Sequence, residues 1–596
     1  MLRMIPFLPF KSIYSAILTL LILVPVASAA TTVDNNESAQ VKPGASSIGN
    51  YLAGRHAQAR HDMGAAVTFL EAALRAMPDV PDLRRRTFIL LVTEGRIKEA
   101  LPLAKIVLKE YPKAPIANLI LAVEALRSGE YAAVAAQFEV GADKGLNSFT
   151  QSFMKAWALA GEGKSGEAQK ALAKLDGNES TQGLYDVHLA LLLDFMDDPG
   201  AEAAYLALVD KNLSGSFQIV QHMGQYHERR GQMEKARAIY EKMRTDIPGT
   251  ALLDLADKRL RSGKRPPKLL RSASYGAAEA LFSIASLVRR QRARETALAL
   301  ARLALYLRPN FAIAMLLVAD VLGDDKRYAD ANIIYERVRT SSPFRSSADL
   351  GRAKNLDSLG KTDEAIALYQ DIAGQRQHDP QPLIQLGNLL RRHERWEQAI
   401  EAYTDAIARV GIMEKRFWHL LYARGIAYER DKRWADAEKD LLRALEFEPE
   451  QPLILNYIGY SWIDQGLHLK RAQKMIRRAV ELRPSDGYII DSLGWGYYRL
   501  GKYEESVKEL ERSIQIRPED PIINDHLGDA YWRVERKLEA EFQWRRSLSL
   551  NPKRDLAVNI REKLKYGLGT PRNQIRKRLH KKGSTEAEVP SVPKKI

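Results

Sequence analysis

The sequence predicts an all-α, superhelical solenoid of about fourteen helix–turn–helix repeats. Two neighbouring stretches, 484–518 and 518–552, coincide when the chain is offset by 34 residues. Gly494 then falls on Gly528, and Pro518 falls on Pro552. A fixed period of this length indicates stacked helix pairs. At 596 residues the chain is too long for one compact core, whereas stacked repeats bury their apolar faces against their neighbours at any length.

The same pattern of small residues runs through most of the chain. Pro112 follows Pro78 by 34 residues, and Ala100 and Ala104 stand between them at interior positions. Small side chains let two helix backbones approach closely where they cross, and proline favours the end of a helix. The repeats are therefore predicted from residue 49 to 552, with the weakest pattern between 116 and 212.

The N-terminus has the three parts of a secretory signal. Arg3 and Lys11 precede a mostly apolar stretch at 12–26, and Ala27-Ser28-Ala29 fits a small-residue cleavage pattern. We expect cleavage after Ala29 and a periplasmic location. The alternative is an uncleaved inner-membrane anchor, because 12–33 is uncharged and long enough to span a bilayer.

These patterns divide the chain into seven predicted parts. Two prolines among five basic residues in the RSGKRPPKLLRS stretch argue against a helix there and mark a boundary. The parts are a signal peptide (1–29), a disordered leader (30–48), an N-terminal array (49–260), a basic linker or hinge (261–275), a C-terminal array (276–552), a capping helix (553–569) and a basic disordered tail (570–596).

Composition and motifs argue against catalysis. The net charge of +16 favours anionic partners, including peripheral contact with an anionic membrane surface. Export makes nucleic acid an improbable partner. The chain has no cysteine, and no catalytic motif occurs in a fitting context. The eleven histidines are scattered; His526, for example, is interpreted as a surface or packing residue. We predict no enzymatic activity, no cofactor, no metal site and no catalytic residues.

The 34-residue period resembles the tetratricopeptide repeat (TPR). That resemblance implies that positions 2, 5, 9 and 12–13 of the first helix of each repeat line a concave face. Aromatic, arginine and carboxylate side chains at these positions are typical of binding hot spots. The predicted partner-binding residues are Asn456, Tyr460, Tyr488, Asp491, Trp495, Tyr498, Arg499, Asp525, Asp529, Trp532 and Arg533.

Two alternatives apply to these residues. One is that the aromatic side chains only cover the neighbouring helix. The other is that the charged ones, Asp491, Asp525, Arg499 and Arg533, pair with each other across adjacent repeats, because buried unpaired charges are costly.

The C-terminal third carries a more specific resemblance. The segments LNYIGYSWIDQG (455–466), DGYIIDSLGWGYYRLGKYEES (486–506) and DHLGDAYWRVERKLEAEFQWRRSL (525–548) are similar to bacterial envelope TPR proteins. These include the lipoprotein adaptor of carboxy-terminal processing proteases, which brings substrates such as cell-wall hydrolases to its protease. Without cysteine, this chain cannot carry the lipid anchor of that adaptor.

Three functions are compatible with the sequence. The leading hypothesis is a non-enzymatic envelope scaffold that binds a carboxy-terminal processing protease and its cell-wall hydrolase substrates. The second is a TPR scaffold for exopolysaccharide assembly or export. The third is an enzyme acting on cell-wall glycan.

Overall fold

The computed structural model describes residues 42–138, 145–177, 181–211, 215–247 and 250–569. Within these ranges the chain forms thirty α-helices and no strand. The predicted signal peptide, most of the leader and the predicted tail lie outside the described residues.

The first thirteen helices precede the proline-containing stretch. Most form antiparallel pairs, and α13 stands alone after a short 3-10 turn. Their bounds are α1 Ser47–Ala59, α2 Met63–Ala76, α3 Pro81–Thr93, α4 Ile97–Glu110, α5 Pro115–Ser128, α6 Tyr131–Ala136, α7 Leu146–Gly161, α8 Ser165–Leu172, α9 Gln182–Phe195, α10 Ala201–Asp210, α11 Phe217–Arg229, α12 Met233–Asp246 and α13 Asp254–Ser262.

The remaining helices form eight further pairs and a final single helix. Their bounds are α14 Ala273–Arg290, α15 Arg294–Leu307, α16 Ala312–Asp324, α17 Tyr328–Glu336, α18 Arg345–Ser358, α19 Thr362–Gln375, α20 Gln381–Arg392, α21 Trp396–Val410, α22 Trp418–Arg430, α23 Trp434–Phe447, α24 Pro452–Gln465, α25 Leu469–Leu482, α26 Gly487–Arg499, α27 Tyr503–Ile516, α28 Pro521–Arg533, α29 Lys537–Ser549 and α30 Arg554–Tyr566.

The described residues therefore contain fourteen helix pairs, which confirms the predicted solenoid. Small residues hold each pair together as expected, and Ala66, Ala100 and Ala437 are fully buried. The turn inside a pair needs one residue with positive φ. Glycine often supplies it, as at Gly501 (φ 77°), because it has no Cβ to clash.

The second half of the chain folds back onto the first. Helix α14 packs against α7, and α15 packs against both α3 and α5. A Cβ on Gly276 would lie 2.2 Å from the Trp157 ring, so only glycine permits this approach. Arg327 forms a pair of 2.7 Å bonds to the Glu94 carboxylate, and both side chains are largely buried.

The packing thus crosses the predicted boundary at 261–275. One continuous apolar core extends from Ala57 to Ala348, on both sides of the proline-containing stretch. Helix α13 ends at Ser262 and α14 begins at Ala273, so the predicted linker overlaps the described helices at both ends, and α1 begins at Ser47, inside the predicted leader. Whether the two arrays are separate domains stays a prediction.

Later repeats also touch earlier ones along the superhelix. The Arg416 guanidinium donates to the backbone carbonyls of Thr245 (2.7 Å) and Asp246 (3.2 Å). Arg376 lies 2.9 Å from Asp254. These bonds link the stretch around α19–α22 to α12 and α13, so residues more than 100 positions apart in the sequence are in contact.

Candidate partner-binding face

The last three repeats, α24–α29, place the predicted residues on their first helices. Successive first helices touch each other, since α24 packs on α26 and α26 on α28. The second helices α25, α27 and α29 lack comparable mutual contacts within the described chain. The array therefore curves with α24, α26 and α28 inside. We call the inner surface of these three helices the C-terminal inner face.

Glycines fix which side of each inner helix faces its partner helix. A Cβ on Gly494 would lie 2.6 Å from the Leu510 side chain, and one on Gly528 would lie 2.6 Å from Trp544. Position 8 of each repeat is therefore pressed against the second helix of the same pair. The residues at positions 2, 5, 9, 12 and 13 are left for the inner face or for contacts with the next repeat.

Asp491 pairs with the next repeat. His526 Nδ1 lies 3.0 Å from Asp491 Oδ1, and both residues are buried. Burial opposes protonation of His526, but the Asp491 charge and hydrogen bond outweigh it and raise the pKa of the imidazole. The His526 ring also stacks on Trp495 at 4.0 Å, and Trp495 stacks on Tyr498 at 4.7 Å. A row of three stacked rings therefore joins α26 to α28.

Asp525 and Asp529 pair with the final helix. Lys563 Nζ, from α30, lies 2.8 Å from both oxygens of Asp525 and 2.7 Å from Asp529 Oδ1. Trp544 Nε1 donates to Asp529 Oδ1 at 2.9 Å. Burial raises the pKa of Asp529 to about 6, although Lys563 acts in the opposite direction. This buried cluster joins α30 to the last repeat.

The two arginines are also bonded within the chain. Arg499 forms an ion pair with Asp464 of the preceding repeat and donates to its backbone carbonyl at 2.9 Å. Arg533 Nε donates to the Tyr498 hydroxyl at 3.3 Å. The predicted charges thus do pair across adjacent repeats, but their partners are other than those expected: Asp464, His526, Lys563 and a tyrosine.

The remaining predicted residues differ in exposure. Trp532 lies under Lys537, whose Nζ is 4.1 Å from the ring, and beside Gly567. Tyr460 is half-buried, and burial raises its pKa to about 12. Asn456 is half-buried, and its Oδ1 is enclosed without a hydrogen-bond partner among the described residues. Tyr488 is 51% exposed.

An exposed apolar row remains on the C-terminal inner face. Leu453, Tyr488 and Ile522 each occupy position 2 of a repeat, at spacings of 35 and 34 residues, and are 37%, 51% and 49% exposed. Leu453 was not among the predicted site residues. Its position in the repeat was the signal that could have identified it. Of the predicted residues, the structure brings most into two internal clusters and leaves chiefly Tyr488 open to solvent.

The described ranges hold neither a cluster of metal-binding side chains nor a membrane-spanning helix. No group of three or more His, Asp or Glu side chains there could hold a metal ion. No helix in the same ranges has both the length and the apolar character needed to cross a membrane.

Three segments match models of known repeats. Residues 85–145 and 384–452 match a tetratricopeptide repeat model, and residues 496–534 match a second TPR model. A TPR repeat-containing protein of Pseudomonas aeruginosa is 30% identical over 167 residues, which are 27% of this chain and 27% of the relative. The tetratricopeptide repeat-containing protein trd-1 of Caenorhabditis elegans is 28% identical over 158 residues, covering 26% and 18%. The chain thus spans about a quarter or less of the length of these relatives.

A solved structure covers more of the chain at lower identity. The APC/C hetero-tetramer Cut9–Hcn1 matches 88% of this chain and 96% of its own, with 14% identity and a TM-score of 0.36. The matched segments and the helix-pair packing of the described residues identify the fold as an all-α tetratricopeptide-repeat solenoid.

Proposed function

We propose that this chain is a non-enzymatic scaffold of the bacterial cell envelope that binds a carboxy-terminal processing protease and presents substrates to it. TPR arrays provide surfaces for protein–protein interaction, which supports the scaffold part of the proposal. The envelope location rests on the signal-like N-terminus. The choice of a carboxy-terminal processing protease as the partner rests on the resemblance of residues 455–548 to the adaptor group.

The apolar row of Leu453, Tyr488 and Ile522 is the observation that carries the proposal. A protein interface needs a desolvated apolar centre with a polar rim. The row supplies such a centre, and the Asp464–Arg499 ion pair lies at the opposite ends of the same helices. The stacked rings join α26 to α28, and the Lys563 cluster joins α28 to α30. These contacts hold the row in place before a partner binds.

The scaffold acts by raising effective concentration. A protease held on the C-terminal inner face and a substrate held elsewhere on the same solenoid meet as tethered partners, which raises local concentration without any new chemistry. The strongly basic chain adds attraction toward acidic partners.

The test is binding of a purified carboxy-terminal processing protease from the same organism. We expect Tyr488→Glu with Ile522→Glu to weaken binding by at least about 30-fold, because truncating a central interface residue commonly costs ~2 kcal/mol or more. Leu538→Glu is the matched control, since Leu538 is 83% exposed but lies on the second helix α29.

Unchanged binding in the double variant would place the protease elsewhere on the solenoid. Recovery of a glycan synthase or an export porin from envelope extract, with no protease, would replace the proposal with the exopolysaccharide scaffold. Hydrolysis of cell-wall glycan by the purified chain would reject both scaffold functions. Mass measurement of the exported chain tests the location, and a mature form beginning at Ala30 is the expected result.

A further inference from the structure

A basic pocket lies where the second half of the chain packs on the first repeats. Its volume is about 640 Å³, within the range of roughly 300–1,000 Å³ that is common for ligand sites. It is built mainly from turns and helix ends, namely residues 60–64 around the α1–α2 turn, the end of α3 and residues 326–330 around the α16–α17 turn, together with side chains of α15 and α17. The pocket therefore lies at the edge of the solenoid that carries these turns, and not on the inner helix faces.

Basic side chains outnumber acidic ones in the lining of this pocket. The five basic residues are Arg60, Arg302, Lys326, Arg327 and Arg337, and the three acidic residues are Asp62, Glu94 and Asp330. Five positive and three negative charges leave a net charge of +2, counting His61 as neutral. Arg327 bonds to both Glu94 and Asp330 at 2.7 Å, so its charge is already balanced. The other four basic residues form no ion pair with any described residue.

Arg302 is a desolvated cation in the wall of the pocket. Its Nε donates to the Thr93 carbonyl at 3.0 Å, and a Cβ on Gly95 would lie 3.2 Å from its Cδ, so the side chain is held against the end of α3. Burial lowers the pKa of Arg302 to about 10, and the nearby charges of Arg327 and Arg337 act in the same direction. A desolvated charge without an opposite charge is costly, so an anion beside Arg302 would be stabilising.

Two helix N-termini also border the pocket. Met63 and Gly64 are the first residues of α2, and Tyr328 and Ala329 are the first residues of α17. The first N–H groups of a helix have no acceptor within the helix, and they form the positive end of the helix dipole. Phosphate groups bind readily at such N-termini. The two helix ends therefore add hydrogen-bond donors to a lining that is already basic.

We propose that this pocket binds the phosphate group of an organic phosphate. A phosphate monoester carries close to two negative charges at pH 7, which matches the net charge of the lining. The phosphate supplies the opposite charge that Arg302 lacks, and the exposed side chains of Arg60, Lys326 and Arg337 attract it at the rim. The pocket is large for a single inorganic ion, so the ligand has an organic part as well.

Such a phosphate group occurs in soluble organic phosphates and in the headgroup of phosphatidic acid. The site goes beyond the proposed function, because it involves the first repeats and α15–α17 and does not require the protease.

Glycerol phosphate is the probe for this site, and glycerol is its uncharged counterpart. Isothermal titration calorimetry with the full chain measures the binding of both. We expect saturable binding of glycerol phosphate and no binding of glycerol. No binding of glycerol phosphate at millimolar concentration, or equal binding of the two compounds, would overturn the proposal.

Neutralising two rim residues locates the site. Arg60→Gln with Arg337→Gln, the rim variant, should raise the Kd for glycerol phosphate about tenfold, because two attractive charges are lost. Both side chains are exposed and form no hydrogen bond or ion pair with the described residues, so the fold is not at risk. Lys474→Gln with Lys508→Gln removes the same charge from exposed positions of the C-terminal array and should leave the Kd unchanged. An equal rise in both double variants would mean that only net charge matters and would reject the pocket.

Arg302 needs two variants, because its Nε also bonds to the backbone at Thr93. Arg302→Lys keeps a cation in the wall and should retain binding of glycerol phosphate, whereas Arg302→Met keeps only an apolar stem and should lose it. Both variants lose the guanidinium, so a difference between them reports the charge. If Arg302→Met bound glycerol phosphate as tightly as Arg302→Lys did, the phosphate would not lie beside this side chain and the proposal would fail.

Vesicles distinguish the two sources of the phosphate group. The full chain and the rim variant are sedimented with phosphatidylcholine vesicles that contain or lack phosphatidic acid. Binding to phosphatidic acid that the rim variant loses would assign the pocket to lipid headgroups. A chain that binds glycerol phosphate but not these vesicles uses the pocket for a soluble organic phosphate. These results are independent of whether a protease binds the C-terminal inner face, so failure of either proposal can be recognised without the other.

Discussion

Replacing Lys563 by methionine should loosen the C-terminal end of the solenoid. Lys563 is the one residue of α30 whose ammonium contacts Asp525 and Asp529, and the side chains of all three are at most 12% exposed. Methionine keeps an unbranched apolar stem of similar length but removes the charge. The variant therefore leaves two buried carboxylates facing an apolar group.

The expected loss is about 3 kcal/mol in the local free energy of opening. Removing one partner of a buried ion pair typically lowers the free energy of unfolding by ~3–5 kcal/mol. A loss of this size changes an opening equilibrium by about a hundredfold.

The loss should depend on pH in a defined direction. The folded-state pKa of Asp529 lies above the unfolded value, so the folded state binds the proton more tightly. Lys563 opposes this shift, so its removal raises the pKa of Asp529 further, and protonation relieves the unpaired carboxylate as the pH falls. The effect of Lys563→Met is therefore largest at pH 7–8 and smaller at pH 5.

Hydrogen exchange measured by mass spectrometry resolves this change along the chain. Amides of α28–α30 should exchange about a hundredfold faster in Lys563→Met at pH 7, whereas α1–α23 should not change, because solenoid repeats contact mainly their neighbours. Lys553→Met is the control, since its ion pair with Glu394 is largely exposed and exposed pairs contribute about 0–1 kcal/mol. Equal exchange in the two variants at pH 7 would refute the reasoning.

Two further predictions test how the second half of the chain packs on the first. Gly276→Ala places a Cβ against the buried Trp157 ring and should destabilise the chain by ~1–3 kcal/mol. The control is Gly374→Ala, where a Cβ meets no atom within 4 Å, and it should be neutral or slightly stabilising. Thermal unfolding compares the two variants, and equal unfolding midpoints would contradict the close approach of α14 to α7. Arg327→Met leaves Glu94 unpaired and should lower the free energy of unfolding, measured by denaturant titration, by about 3 kcal/mol. The control is Arg294→Met, which breaks an exposed ion pair. If Arg327→Met lowered the free energy of unfolding no more than Arg294→Met, the buried ion pair would be contradicted.

The sequence contained enough information to predict the repeats, because each repeat is a local unit. A 34-residue offset aligns residues that play the same part in successive helix pairs, as Gly494 and Gly528 do. Close packing at these positions depends on residues within one repeat. The helix pairs could therefore be predicted without knowing how distant parts of the chain meet.

The internal clusters could not be predicted in the same way. Asp491 and Asp525 were singled out as charges that packing does not explain. Their partners, His526 and Lys563, lie 35 and 38 residues further along. The spacing from Asp525 to Lys563 departs from the 34-residue period because α30 is a single helix outside the repeat pattern. Only the three-dimensional structure shows that Lys563 reaches both carboxylates of the last inner helix.

The largest difference between sequence and structure concerns the proline-containing stretch. The two prolines of RSGKRPPKLLRS lie in the helix-free stretch between α13 and α14, at 263–272, but a break in secondary structure need not be a break in packing. In this chain it allows α14 and α15 to turn back into the groove of the first repeats, where Arg302 bonds to the backbone at Thr93. The position of α15 on α3 and α5 therefore follows from contacts between distant parts of the chain, and it cannot be read from a repeat pattern.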